Sequence, residues 1–204
     1  MTREEAKALY KHYFSNIKRD GAKKLLRYME ENGFFDAPAS KGHHGAYPGG
    51  LAEHSINVFR RLVWLEEKEN SQKGVRMQES RMETLAVCAL LHDLCKIDAY
   101  RRIYKAGEDG KQPGRCQYEV TGDFPIGHGE KSVILILRVS GMELTEEEML
   151  AIRWHMGAYD FCAKGGSYDL NNAFKQCKLA AMLHMADMMA THMDEREENG
   201  GGVL

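Results

Sequence analysis

Apolar positions recur every three to four residues over most of this chain, and the periodic stretches are separated by glycine, proline and asparagine. Residues 3–18 and 20–32 read as two helices with polar outer faces, broken near Asp20-Gly21 and closed by Asn32-Gly33. The period is lost over 34–50, FFDAPASKGHHGAYPGG, which carries the glycines and prolines of a loop. It returns over 51–70, where Leu51, Val58, Leu62 and Leu65 share a face. A further helix is expected over 77–97; its middle, TLAVCALL, is apolar all round and therefore belongs inside the protein.

The pattern changes between 99 and 121. YRRIYK and CQYEV flank a Gly- and Pro-containing turn, which reads as a short hairpin. Arg101, Arg102, Lys105, Lys111 and Arg115 face Glu108, Asp109 and Glu119 there in the sequence. Helices are expected again over 127–140 and 145–157, the second opened by a capping box of Thr145 and Glu148. A glycine-rich loop at 163–167 precedes a last helix over 170–194, and the closing EREENGGGVL reads as a frayed end. These elements give an all-α helical bundle with a small β-hairpin insertion. The expected organisation is one domain over 1–195, with N-terminal helices in 1–33, a core over 43–190 and a tail at 196–204.

Composition narrows the classes. The 204 residues are 43% hydrophobic and 28% charged, which suits one water-soluble domain with a real core. The formal net charge of −2 argues against broad non-specific binding to nucleic acid or acidic membranes. No run approaches the roughly 18 apolar residues of a membrane-spanning helix. MTREEAKALYKHYF is charged from its third residue and has no apolar signal core, which points to the cytoplasm. Five cysteines, none in a Cys-x-x-Cys pair, read as reduced thiols rather than a cysteine zinc site.

The histidines and aspartates carry the candidate chemistry. His54 lies three residues after Leu51 and four before Val58, on or beside the apolar face. His92 and Asp93 end the buried run, and Asp187 stands within LAAMLHMADMMA. Singly, such residues are usually hydrogen-bonded core histidines, caps or ion pairs. Two aspartates among apolar neighbours call for compensation, because an unpartnered buried carboxylate costs several kcal/mol. A divalent cation supplies it, with imidazole nitrogen and carboxylate oxygen as ligands.

The motifs resemble the HD superfamily of metal-dependent phosphohydrolases. HHGAYPGGLAEHSINV at 43–58 resembles the segment around its first metal histidine, and ALLHDLCKID at 89–98 its His-Asp doublet helix. GHGEKS at 127–132 and RWHMG at 153–157 resemble the extra histidine motifs of two-metal members, and LHMADMM at 183–189 the final aspartate helix. The resemblance is nearest to HD domains attached to bacterial 3′-to-5′ exoribonucleases, without the nucleic-acid-binding barrel that accompanies them. It implies one metal bound by His54, His92, Asp93 and Asp187, with Asp93 bridging to a second bound also by His128 and His155. Glycines on either side of His128 would permit close backbone approach there. A His-rich set favours Mn, Fe, Co, Ni or Zn, with Mg also admissible. Asp93 and Lys96 would serve catalysis, Lys96 by contacting a substrate phosphate rather than a metal.

One departure stands out: the glycine usual before the motif lysine is Cys95. Packing is the default reading, crowding of the site or sensitivity to oxidation the other. His184 is either a partner that orients a ligand or a packed residue, and Lys131, three after His128, either reaches substrate or, by default, is a surface lysine. Arg101 and Arg102 are phosphate contacts or a solvated hairpin edge. His43 and His44 line the site or sit in an open loop, while His12 and His192 read as surface residues.

The expected activity is hydrolysis of a phosphate ester, a nucleotide or short oligonucleotide, with a phosphate-ester small molecule or oligonucleotide as the partner and no membrane. Two other classes share the motifs: di-iron oxygenases and non-catalytic nucleotide-sensing modules.

Overall fold

The computed structural model describes residues 1–106, 113–121 and 124–195. The expected hairpin turn and the expected frayed end at 196–204 lie outside the described residues, as do the side chains of Lys105, Glu108, Asp109, Lys111 and Arg115. The all-α expectation holds, with one two-stranded antiparallel sheet among the described residues.

Helix α1 (Arg3–Phe14) is opened by a capping box of Thr2 and Glu5, and α2 (Ala22–Glu31) follows a tight turn at Gly21. The expected helix over 3–18 stops four residues early. Glu83 Oε1 takes the backbone N–H groups of Lys18 and Arg19, at 2.6 and 3.1 Å, so those donors leave the helical ladder. Ile17 is then free to turn into the core, where it is 5% exposed.

Helix α3 (Gly50–Gln72) and helix α4 (Glu79–Leu91) form the centre. Every α4 residue from Leu85 to Leu91 is buried, as its all-round apolar pattern requires. Tyr10 ties α1 to it by donating its hydroxyl to Leu90 O at 2.6 Å. The helix ends at Leu91, short of the expected 97, and a 3-10 turn over Leu94–Asp98 follows. One cause is visible: the Cys95 N–H donates to Ser132 Oγ at 3.1 Å rather than to a helix carbonyl.

Strands β1 (Tyr100–Ala106) and β2 (Pro113–Val120) pair antiparallel, with Tyr100 opposite Val120 and an irregularity between Tyr104 and Ala106. Arg101 pairs with Glu119 across the ladder, which makes it part of an exposed hairpin edge. Helices α5 (His128–Ser140) and α6 (Glu146–Trp154) pack on each other. The capping box of Thr145 and Glu148 is formed, with the Thr145 N–H donating to Glu148 Oε2 at 2.9 Å.

The expected helix over 170–194 is divided. After a short α7 (Phe161–Lys164), α8 (Asp169–Gln176) buries only Ala173, and Cys177 adopts an extended conformation before α9 (Lys178–Met189) enters the core. The polarity change from DLNNAFKQ to KLAAMLHMADMM accompanies the break: the first segment has little to bury, the second much. A wider π-helical turn over Ala190–Asp194 closes the described chain. Helix α9 packs on α3 and α6, so α3, α4, α6 and α9 surround one region.

Glu148 is fully buried and receives two hydrogen bonds from Arg19, at 2.8 and 2.9 Å, besides capping α6. Glu148→Ala should cost about 2 kcal/mol, less than a fully enclosed pair because Arg19 keeps 22% exposure. The check is urea unfolding, where the midpoint should fall at an unchanged slope.

Candidate metal centre

Four helices deliver polar side chains to the enclosed region. His54 comes from α3, His92 and Asp93 from the end of α4, His155 from the residue after α6, and Asp187 from α9. His54, His92, Asp93 and His155 are each at most 3% exposed; Asp187, expected among apolar neighbours, is 17% exposed and opens toward a cleft.

Each histidine has one nitrogen fixed from behind. His92 Nδ1 lies 2.8 Å from Ala89 O and His155 Nδ1 lies 2.7 Å from Ile152 O. A carbonyl oxygen only accepts, so Nδ1 carries the proton in both rings and a lone pair remains on Nε2 of the neutral ring. His54 Nδ1 lies 3.1 Å from both carboxylate oxygens of Glu195, which orient it in the same way.

The opposite nitrogens converge on Asp93. His92 Nε2 is 3.4 Å from Asp93 Oδ2, His155 Nε2 is 3.5 Å from Oδ1, and His54 Nε2 is 3.8 Å from Oδ2 and 3.3 Å from Asp187 Oδ1. None of these three nitrogens, nor Asp93 Oδ1, has an aligned hydrogen bond, although all are buried. Orphaned polar atoms in a core cost about 1–3 kcal/mol each, so the arrangement gains from a cation that these atoms can hold.

The electrostatics agree. Burial alone would raise the Asp93 pKa, yet the Lys96 ammonium and the histidines outweigh it and hold the carboxyl well below its usual range. Burial favours a neutral His54, but Asp187 and Glu195 outweigh that and raise its pKa to about 10. His92 is shifted down by burial. The site is a concentration of negative charge that cations satisfy: an imidazolium at His54, an ammonium at Lys96, or a metal ion.

Lys96 is 9% exposed and its Nζ lies 2.6 Å from Asp93 Oδ2, so it is not a solvated helix-end lysine. His128 starts α5 and is half-buried; its Nδ1 lies 3.3 Å from Cys95 Sγ. The resemblance placed His128 with His155, but their ligand atoms fall into different close groups. His155 gathers with His92 and Asp187, and His128 with Asp93 and Cys95; within each group the donor atoms lie within 4.8 Å of one another. Arg153 holds the two histidine-bearing helices together, contacting Glu130 at 2.5 Å and Asp160 at 3.0 Å.

A cleft of about 160 Å³ opens over this cluster, lined by His44, Asp93, Lys96, Tyr159, His184 and Asp187 among others. His44 therefore lines the site, while His43 is exposed. His184 packs against the segment that carries His155, its Nδ1 lying 2.7 Å from His155 O. Lys131 corrects the surface default: it is 8% exposed and pairs with Asp98 at 2.8 Å. His12 is exposed, and so is His192 at the edge of the cleft.

Sequence reasoning missed Glu195, which it assigned to a frayed end. Eight positions after Asp187, it would stand about 80° off that residue's face in a regular α-helix. The wider turn at 190–194 advances less per residue and reduces that offset. Its carboxylate is 6% exposed and also accepts from Asn57 Nδ2 at 3.0 Å. Glu195→Gln should weaken divalent-metal binding about 10- to 100-fold, the usual cost of losing a carboxylate behind a ligating histidine. Isothermal titration against the parent protein checks this; equal affinity would make Glu195 a packing residue.

A helical domain with buried imidazoles and carboxylates converging beneath a cleft is the class in which a divalent cation is held by His and Asp side chains. The chain belongs to the HD domain family, whose profile matches residues 51–161, more than half of the sequence. No curated protein and no solved structure matches it. HD domains bind divalent metals, and the donor set here, imidazole nitrogen with carboxylate oxygen, fits such an ion.

Proposed function

We propose that this protein is a metal-dependent phosphohydrolase that cleaves a phosphomono- or diester of a nucleotide or short oligonucleotide. The observation that carries the reading is the set of four buried atoms that converge without an aligned hydrogen bond: His54 Nε2, His92 Nε2, His155 Nε2 and Asp93 Oδ1. In this reading His54, His92, Asp93 and Asp187 would hold one ion, and Asp93 would serve a second together with His128 and His155. A cation bound there supplies Lewis acidity toward phosphate oxygens and lowers the pKa of a water.

The chain's own residues do the rest. Ala89 O, Ile152 O and Glu195 fix the tautomers of His92, His155 and His54, so their Nε2 lone pairs are preset. Lys96 reaches the cleft and keeps its charge, because Asp93 outweighs burial and raises its pKa. Its ammonium is placed to donate to a phosphate oxygen and to balance charge that develops there. Residues 1–195 act as one HD-type domain in this account, and the setting is cytoplasmic. Among the described residues no helix is long and apolar enough to cross a membrane.

The test is hydrolysis of a panel of nucleotide and oligonucleotide phosphate esters with Mn²⁺, Co²⁺, Fe²⁺, Ni²⁺, Zn²⁺ and Mg²⁺. Release of phosphate or nucleotide that is unaffected by excluding oxygen supports the reading; turnover that requires oxygen contradicts it. Lys96→Ala should lower turnover on the order of 10²-fold while bound metal is retained. Loss of metal in proportion to activity would show that Lys96 supports the centre rather than the substrate.

A further inference from the structure

The geometry points to Cys95 as a metal ligand: its thiolate, with Asp93 and His128, makes the second cation position a sulfur-containing one. The inference rests on the metal-centre reading above and concerns the residue where the chain departs from the HD pattern.

Cys95 is 2% exposed, and its Sγ lies 3.3 Å from His128 Nδ1. The donor atoms of Asp93, Cys95 and His128 all lie within 4.8 Å of one another, close enough to be drawn onto one ion. The Cys95 backbone is held by its N–H bond to Ser132 Oγ, so the sulfur is supplied from a fixed point. A second observation is independent of the sulfur: Asp93 Oδ1 is buried without any hydrogen-bond partner. A glycine at position 95 would offer no side-chain donor there.

The chemistry sets the metal. Binding forms a metal–sulfur bond, and the thiol proton leaves to solvent. Thiolate is a soft donor, so the position prefers Zn²⁺, Fe²⁺ or Co²⁺ over Mg²⁺ or Mn²⁺. The other position, with nitrogen and oxygen donors alone, discriminates less. The competing role for Cys95 is a hydrogen bond that orients His128 without touching the ion.

Anaerobic titration of the metal-free protein with Co²⁺ separates these. The visible ligand-field absorption counts ions bound, and a near-ultraviolet sulfur-to-cobalt charge-transfer band reports the thiolate. The charge-transfer band is expected to grow with the second equivalent in wild type. It should be missing from Cys95→Ser and Cys95→Gly, which still bind the first equivalent. Zn²⁺ affinity at the second position should fall at least about tenfold in both variants, the lower end of what losing even an indirect partner costs. A second equivalent that binds without the band, or a band that survives in both variants, overturns the inference while leaving the metal centre in place. Failure to bind any cobalt overturns both readings.

Discussion

Asp93→Ala is expected to abolish phosphate-ester hydrolysis while the protein remains folded. Asp93 is the side chain on which the site converges: His92, His155, His54 and Lys96 all lie within 3.8 Å of its carboxylate. Removing it takes away a donor shared by both proposed ion positions and leaves Lys96 without its buried partner. Loss of a ligand and of the bridging charge together predicts a fall in turnover of more than about 10³-fold, beyond the effect of one electrostatic contact. The fold should survive, because Asp93 makes no contact that ties two helices except through the centre. The metal-free variant also escapes the cost of a buried carboxylate, although an unpaired Lys96 offsets part of that gain. The checks are turnover and thermal unfolding of the metal-free proteins, side by side. Near-normal activity would remove Asp93 from the mechanism.

The second large effect is expected from a residue with no side chain. A Cβ on Gly129 would stand 2.2 Å from Arg153 O, a backbone atom of α6 that cannot swing away. Glycine there lets the start of α5 meet the end of α6, which sets the spacing between His128 and His155. Gly129→Ala must push the two helices apart, at a cost of about 1–3 kcal/mol for overpacking. A shift of about 1 Å in a positioned group is enough to lower turnover on the order of 10²-fold. Gly127 supplies the comparison: a Cβ there meets the Glu130 carboxylate at 2.1 Å, a part-exposed side chain that can rotate at the cost of its pairing with Arg153. Gly127→Ala should therefore be the milder change in both melting temperature and turnover. Equal effects would show that the approach of α5 to α6 does not govern the site.

The two glycines also show what kind of information the sequence carried. Close approach around His128 was legible, because glycine on both sides of a histidine at a helix start has few other uses. The convergence of His54, His92, Asp93 and Asp187 was legible for a related reason. Polar residues on apolar faces must meet something, and the resemblance to the HD motifs implied that they meet one another. The capping box at Thr145 depends only on residues three apart and could be read directly.

Features set by distant contacts could not be read. Nothing near Lys18 announces that Glu83, from α4, will take its N–H and end α1. Lys131 looks like a surface lysine until Asp98, 33 positions earlier, is seen to pair with it. Glu195 is the sharpest case. Its access to His54 needs a π turn, an irregularity that a helical period cannot express. Cys95 was visible as a departure from the HD pattern, but its sulfur acquires chemical meaning only from the position of His128.

The central claim is that the buried His and Asp cluster is a metal centre, and elemental analysis tests it most directly. Purified protein is equilibrated with Zn²⁺ or Mn²⁺ in excess and desalted, and ions per chain are counted for wild type and for a His128→Ala/His155→Ala double variant. The account predicts that wild type holds close to two Zn²⁺ per chain and that the variant falls toward one. Retention of no ion by a folded wild-type protein, with either metal, would contradict it.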